Sequence, residues 1–355
     1  MLESTLMSTP KNYFPQLDAL RGIACLLVLF HHLVPGSSKW VALGPLGVRL
    51  FFVMTGFLLV GNLLQQKQKG LNPLNIFKDF YQKRVIRIFP VYFLALGLLL
   101  LFGVEPARQI WIWISTFSIN FYMGIYQEWA GVLSHFWFLA TSEQMVLVLT
   151  GLTLWIPRKW FIRLMILLFI GAWLHRWLGT VVGVAPMMIW YSPLSSMDSI
   201  AIGAVIAILY RERKEQIHYL ASSCGIPILA WSFLAIAMAI RIVYFNTPWI
   251  HLAESSEALF FAWLILRTAV GFTNLWEKIL TAPFLVYTGM ISYGLYIFHP
   301  IMHHYVQFNF GRSGIITDPS NIGVIGATFF TSYLISSLCW FLIEKPLISL
   351  KKNKS

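Results

Sequence analysis

Charge is what this sequence has least of. Of 355 residues only 14 are Asp or Glu, and all charged residues together make up 11%, too few to coat a water-soluble fold of this length. Cysteine is scarcer still. Cys25, Cys224 and Cys339 are odd in number, widely spaced, and lie in or at the edge of apolar runs. That pattern fits neither a disulfide framework nor a zinc site, so they read as small buried hydrophobes and no metal centre is expected. Internal repeats, low-complexity linkers and any stretch resembling a soluble domain are likewise missing. What fills the chain instead is apolar: 58% hydrophobic residues and a mean hydropathy of +0.70. This is the composition of a polytopic protein whose main partner is the lipid bilayer. The net charge of +12 does not point to nucleic acid, because the basic residues sit between apolar runs rather than on one stripe, as topology determinants do.

Taking about 20 apolar residues as one crossing, the chain divides into an all-α bundle of about ten transmembrane helices. They begin near residues 16, 44, 84, 134, 160, 191, 224, 256, 283 and 322, in a single integral-membrane domain over 1–355. With both termini cytoplasmic, the inner segments hold 19 of the 26 Lys and Arg residues, as the positive-inside rule requires. Lys39, Arg49, Arg108, Arg176, Arg241, Arg267 and Arg312 are left over, in outer loops and helix interiors. The stretch 104–133 is apolar and aromatic but carries Ser, Thr and Asn, and spanning would break the alternation. It is expected to lie as an interfacial or re-entrant segment on the outer side. The first apolar run, with Asp18, two histidines and no small-residue cleavage pattern, is a retained helix rather than a signal peptide.

That first helix, LDALRGIACLLVLFHH from Leu17 to His32, carries the strongest chemical signal. Eleven residues at 100° each bring His32 to within about 20° of the face of Arg21, and about 16 Å further along the axis. His31 points about 80° away. Ionisable groups at such depths face a protein interior or watery cavity and are functional candidates. His32 is read either as a general base or transient acyl acceptor, since imidazole titrates near the working pH, or as a core histidine bonded to a neighbouring helix. Asp18, three residues before Arg21, either holds that guanidinium or serves as an N-terminal helix charge.

Other groups join it. Arg84 and Arg87, in the inner loop before helix three, stand three apart and share a face at the cytoplasmic surface. They are either a forked clamp for the phosphates of a coenzyme A thioester or topology signals. On helix four, HFWFLATSEQ puts His135 at the outer end and Glu143 about 12 Å deeper. On helix nine, ISYGLYIFHP aligns Ser292, Tyr296 and His299 on one face, with Tyr293 beside them as a further hydroxyl for substrate. These depths bring His32, Glu143 and His299 into one outward-facing polar cavity, whether catalytic or a satisfied interhelical network.

The motifs in order resemble the acyltransferase 3 family of integral-membrane O-acyltransferases, which modify cell-surface glycans and other hydroxylated acceptors in bacteria. The resemblance runs from Leu17 to Pro346. It is carried by LDALRGIA with His32 eleven after Arg21, GVRLFFVMTGFLL, the R-x-x-R pair Arg84 and Arg87, HFWFLATSEQ, SMDSIAIGA with Asp198 and Gly203, ISYGLYIFHP, and LIEKP around Glu344. It implies a ten-helix bundle in a bacterial inner (plasma) membrane and a catalytic histidine at His32. It also implies Arg21, Arg84 and Arg87 turned towards cytoplasmic acyl-CoA, most simply acetyl-CoA used as a donor substrate rather than a resident cofactor, with a glycan hydroxyl as acceptor. Two positions depart from the family pattern: Arg49 stands where an acidic or neutral residue precedes LFF, and Ser142 replaces the first glutamate of the helix-four motif. A fused extracytoplasmic hydrolase-like domain, found in some members, is not expected after KKNKS. A transporter of an anionic solute would instead show repeats or paired broken helices, and a non-catalytic member would keep the scaffold alone. Acyl transfer by purified protein separates all three.

Overall fold

A computed structural model describes residues 14–34, 36, 42–213, 215–217, 219, 225–244, 247–312 and 321–352. Cys224, Lys39 and the last three residues of KKNKS lie outside them. Among the described residues the elements are helical throughout. α1 (Pro15–Leu33), α2 (Leu43–Gln68) and α3 (Pro73–Leu101) are followed by the short α4 (Ala107–Ser115) and α5 (Ile119–Tyr126). Then come α6 (Phe136–Trp155), α7 (Arg158–Val181), the five-residue α8 (Pro186–Trp190), α9 (Met197–Glu212) and α10 (Gly225–Val243). The chain finishes with α11 (Ile250–Val270), α12 (Asn274–Leu280), α13 (Pro283–Met290), α14 (Ser292–Arg312), α15 (Ile322–Cys339), a π-turn at Trp340–Glu344, and α16 (Lys345–Lys352).

Eight of these helices are long and apolar enough to cross a membrane, and up to ten if the two bent pairs each count as one span. The protein is thus a multi-pass membrane protein, and the ten starting points inferred from hydropathy correspond to helices. The largest displacement is in helix three. Helix three begins at Pro73 rather than near 84, because Asn72 caps it through a bond from Leu74 N and Pro73 suits the first turn. Arg84 and Arg87 therefore lie three turns inside a helix, not in a loop. The segment 104–133 does not span: α4 and α5 are each under ten residues.

Two close approaches hold the bundle together. A Cβ on Gly289 of α13 would overlap the Asp18 carbonyl of α1, and one on Gly22 the Leu285 carbonyl. Between α2 and α9, Gly56 and Gly203 each sit against the other helix's carbonyl in the same way. Small residues let backbones pack closely where lipid supplies no hydrophobic drive. α1 is thereby seated against α13 and α2, which fixes the orientation of Asp18, Arg21 and His32. Helix nine is broken: α13 and α14 meet at a 78° bend, so His299 belongs to a limb with its own direction. Cys25 and Cys339 are free and buried.

Candidate active site

Three histidines converge where α1 ends. His32 Nδ1 lies 2.8 Å from His299 Nε2, and the rings stack at 5.1 Å with 10° between their planes. His135 stands 5.7 Å from His299, ring to ring. Its Nε2 donates to the Ile297 carbonyl at 3.0 Å, and Tyr296 donates its hydroxyl to the His135 carbonyl at 3.0 Å.

The backbone of α14 determines which nitrogen carries which proton. Pro300 sits inside this helix; it has no N–H and its ring presses on the preceding turn, loosening the ladder where Leu295, Tyr296 and Ile297 present carbonyls. His299 Nδ1 is 3.0 Å from the Leu295 carbonyl, which only accepts, so Nδ1 holds the proton and Nε2 a lone pair. His32 must then donate from Nδ1 to His299. Its Nε2 is left as a free lone pair, the tautomer a general base needs.

His32 is exposed, and what it faces is a cavity of about 720 Å³ lined also by His31, Arg49, Trp129, Ser134, His135, Trp137, Arg176, Trp190, Glu254 and Tyr296. His299 is fully buried and does not line that cavity, so it is joined to the cavity only through its bond to His32. Trp129 and Val132 bring the end of the 104–133 segment to the cavity wall.

Glu143 is elsewhere. Its carboxylate receives Arg84 Nε at 2.7 Å and Nη2 at 2.6 Å, a fork-to-carboxylate pair that takes both groups out of their expected places. The cause is the early start of α3: Arg84 lies deep enough along that helix to meet the side chain descending on α6. Arg84 therefore has no open fork for a phosphate, and Glu143 does not join His32 and His299. Arg87, one turn on, is exposed and lies within the electrostatic reach of Arg21, Asp18, Arg84 and Glu344. Arg21 donates to Asp18 at 2.9 Å. Glu344, in the π-turn, is buried with neither carboxylate oxygen hydrogen-bonded among the described residues. Ser292 and Tyr293 are not at the cavity. Their hydroxyls donate to the carbonyls of Gly289 and Ile88, both at 2.8 Å, and only Tyr296 of that trio lines it.

Sequence reasoning missed an ionic network at the same cavity. Arg241 grips Glu257 through Nε at 2.7 Å and Nη2 at 3.1 Å, and Arg49 Nε donates to the same carboxylate at 3.0 Å. Arg176 donates to Asp198 at 2.6 Å and to Ser255 at 2.9 Å, and its Nε lies 2.8 Å from Glu254. Arg49, the departure from the family pattern, is thus compensated by acids on α9 and α11. The signal was present as Arg49, Arg176, Arg241, Glu254 and Glu257 in apolar runs, since intramembrane charges pair with one another. Among the described residues no group of three His, Cys, Asp or Glu is placed to hold a metal ion.

Comparison with known proteins agrees with this architecture. Residues 14–343 match the family model described as an acyltransferase domain. A Staphylococcus aureus (strain COL) protein whose name proposes O-acetyltransferase activity is 24% identical over 94% of this chain and 57% of its own length. The peptidoglycan O-acetyltransferase OatA of Listeria monocytogenes is 24% identical over 81% of this chain and 49% of its own. A Bacillus subtilis relative, YrhL, whose name proposes peptidoglycan O-acetylation, matches at 24% over 81% of this chain and 48% of itself. The chain spans about half the length of the curated relatives it matches. No solved structure matches. With the family model covering nearly every helix, and the histidine, R-x-x-R and LIEKP motifs in their places, the chain belongs to the acyltransferase 3 family.

Proposed function

We propose that this protein is a membrane O-acetyltransferase that moves an acetyl group from acetyl-CoA to a hydroxyl of a cell-surface or exported glycan. The observation that carries the reading is the Leu295, His299, His32 relay, which ends in a basic Nε2 facing a cavity walled by aromatic and polar side chains. In the reaction, the acceptor hydroxyl gives its proton to His32 Nε2 as its oxygen attacks the thioester carbonyl. The C–S bond then breaks, and the imidazolium returns the proton to the coenzyme A sulfur, so that ester and free thiol are the products. His299 shares the positive charge while His32 is protonated.

The donor is held at the other end of α1. Arg21 and Arg87 lie there without the forked pairing that occupies Arg84, and guanidinium groups suit the phosphates of coenzyme A. Eleven residues of helix separate Arg21 from His32, about 16 Å, the reach of a pantetheine arm. Donor and acceptor then approach from opposite faces of a bacterial inner membrane, with both chain termini cytoplasmic. The names of the relatives support acetyl as the group and glycan as the acceptor class. The test is transfer of labelled acetyl from acetyl-CoA to oligosaccharides by purified protein in nanodiscs; thioester that stays intact with every acceptor offered would reject the reading.

A further inference from the structure

Arg49, Arg176, Arg241 and Glu254 line the cavity that His32 faces, and Asp198 and Glu257 lie buried behind them, so that lining and backing together carry charges in matched numbers. Arg49, Arg176 and Arg241 face Asp198, Glu254 and Glu257, each within salt-bridge distance of at least one opposite partner. An acidic ligand entering here would meet guanidinium groups already neutralised, and would have to displace a carboxylate to gain one. Charge mismatch of that kind sets specificity.

What the wall offers instead is hydrogen-bonding capacity aimed at hydroxyl donors. Asp198 and Glu257 are fully buried, but the Glu254 side chain keeps 20% of its surface open. Arg176 and His251 sit at its Oε2, while among the described residues Oε1 has only Arg49 Nη2 at 3.6 Å, beyond hydrogen-bond length. Ser134 Oγ is buried at the cavity wall without a hydrogen-bond partner among the described residues. A carboxylate oxygen accepts and never donates, and so does the free nitrogen of His32. A ligand that satisfies them must bring O–H or N–H donors, and the many hydroxyls of a sugar supply them without adding charge. Aromatic rings complete the lining: Trp129 and Trp190 are 62% and 53% exposed, and Trp137 packs on Tyr191 at 4.9 Å. The electron-rich faces of such rings suit the C–H faces of a pyranose.

We infer that the cavity is a subsite for an uncharged, hydroxyl-rich sugar, held between Trp129 and Trp190 at its mouth and Glu254 and Ser134 at its wall, and that it discriminates against uronic or other acidic sugars. This deepens the acyl-transfer reading and rests on it for the role of the bound sugar as acceptor. Glu254 fixes the orientation by accepting from hydroxyls next to the one presented to His32.

The test is saturation-transfer NMR on the full chain in nanodiscs with chitotetraose, maltotetraose and tetragalacturonate as probes. The inference predicts saturation of at least one neutral tetrasaccharide and about tenfold less of the acidic one, with Trp129→Ala and Glu254→Gln each weakening binding about tenfold. Trp129 is exposed and its variant folds even where a change in the ionic network does not. Equal or stronger binding of tetragalacturonate, no binding of either neutral sugar, or neutral binding that survives both substitutions would overturn it. Cleavage of acetyl-CoA is followed in the same nanodiscs. Intact cleavage without sugar binding overturns the subsite alone, whereas sugar binding without cleavage overturns the acyl-transfer reading and leaves the sugar site standing.

Discussion

His32 and His299 stand 267 residues apart in sequence and 2.8 Å apart in space, with Nδ1 of the first donating to Nε2 of the second. His299 is in turn tethered to the Leu295 carbonyl, so it acts on the reaction only through His32. Replacing it with Ala frees His32 to take either tautomer. The expected result is a fall in kcat of about 10²-fold with donor and acceptor KM little changed. His299→Gln, whose side-chain oxygen accepts from His32 Nδ1, recovers part of the loss. A matching fall in both variants together with loss of folded protein would mark His299 as structural only.

Arg84 and Glu143 are partners in a forked ion pair, and their contribution is to stability. Removing either one strands the other in the bundle and costs about 2 kcal/mol, allowing for the partial exposure of both. Because they act as a pair, Arg84→Met and Glu143→Met together cost less than the sum. Thermal unfolding in detergent of the two single variants and the double variant measures that coupling; strict additivity would show the pair to be idle.

Arg87, by contrast, is an exposed residue within electrostatic reach of Arg21. Arg87→Ala is expected to raise the KM for acetyl-CoA about tenfold while leaving the acceptor KM unchanged, and Arg87→Lys to rescue only partly, since an ammonium cannot reproduce the fork. Equal donor KM in wild type and the alanine variant would remove Arg87 from the donor site.

Much of this was legible in the sequence. Apolar length located the helices, and the phase of Arg21 with His32 singled out the histidine that bonds to His299, because both depend only on spacing along one chain. Spacing also pairs Asp18 with Arg21, but partners on different helices depend on how the helices are arranged around one another, and that left no trace in spacing. Glu143 was expected beside His32 but was claimed by Arg84 once α3 began eleven residues early. His299 was expected at the surface of the cavity and does not line it, because the bend between α13 and α14 redirects the limb that carries it. Arg49 stood out as a departure from the family pattern, yet the acids that compensate it sit about 150 and 200 residues further on.

The contact of Gly289 with the Asp18 carbonyl gives a check on the packing that seats α1. Gly289→Ala forces two helices apart and is expected to cost about 2 kcal/mol, read as a lowered midpoint of thermal unfolding. A variant as stable as wild type would mean that α1 and α13 are not in contact there.

The most direct test of the account is acetyl transfer by His32→Ala beside His31→Ala, in nanodiscs matched for folded protein. His31 packs its ring against Gly44 and lies off the Arg21 face, so its variant should keep much of the activity. His32→Ala should lose transfer by about 10³-fold or more with the donor KM unchanged. Transfer within tenfold of wild type in His32→Ala, or an active His32→Ala beside an inactive His31→Ala, would contradict the account.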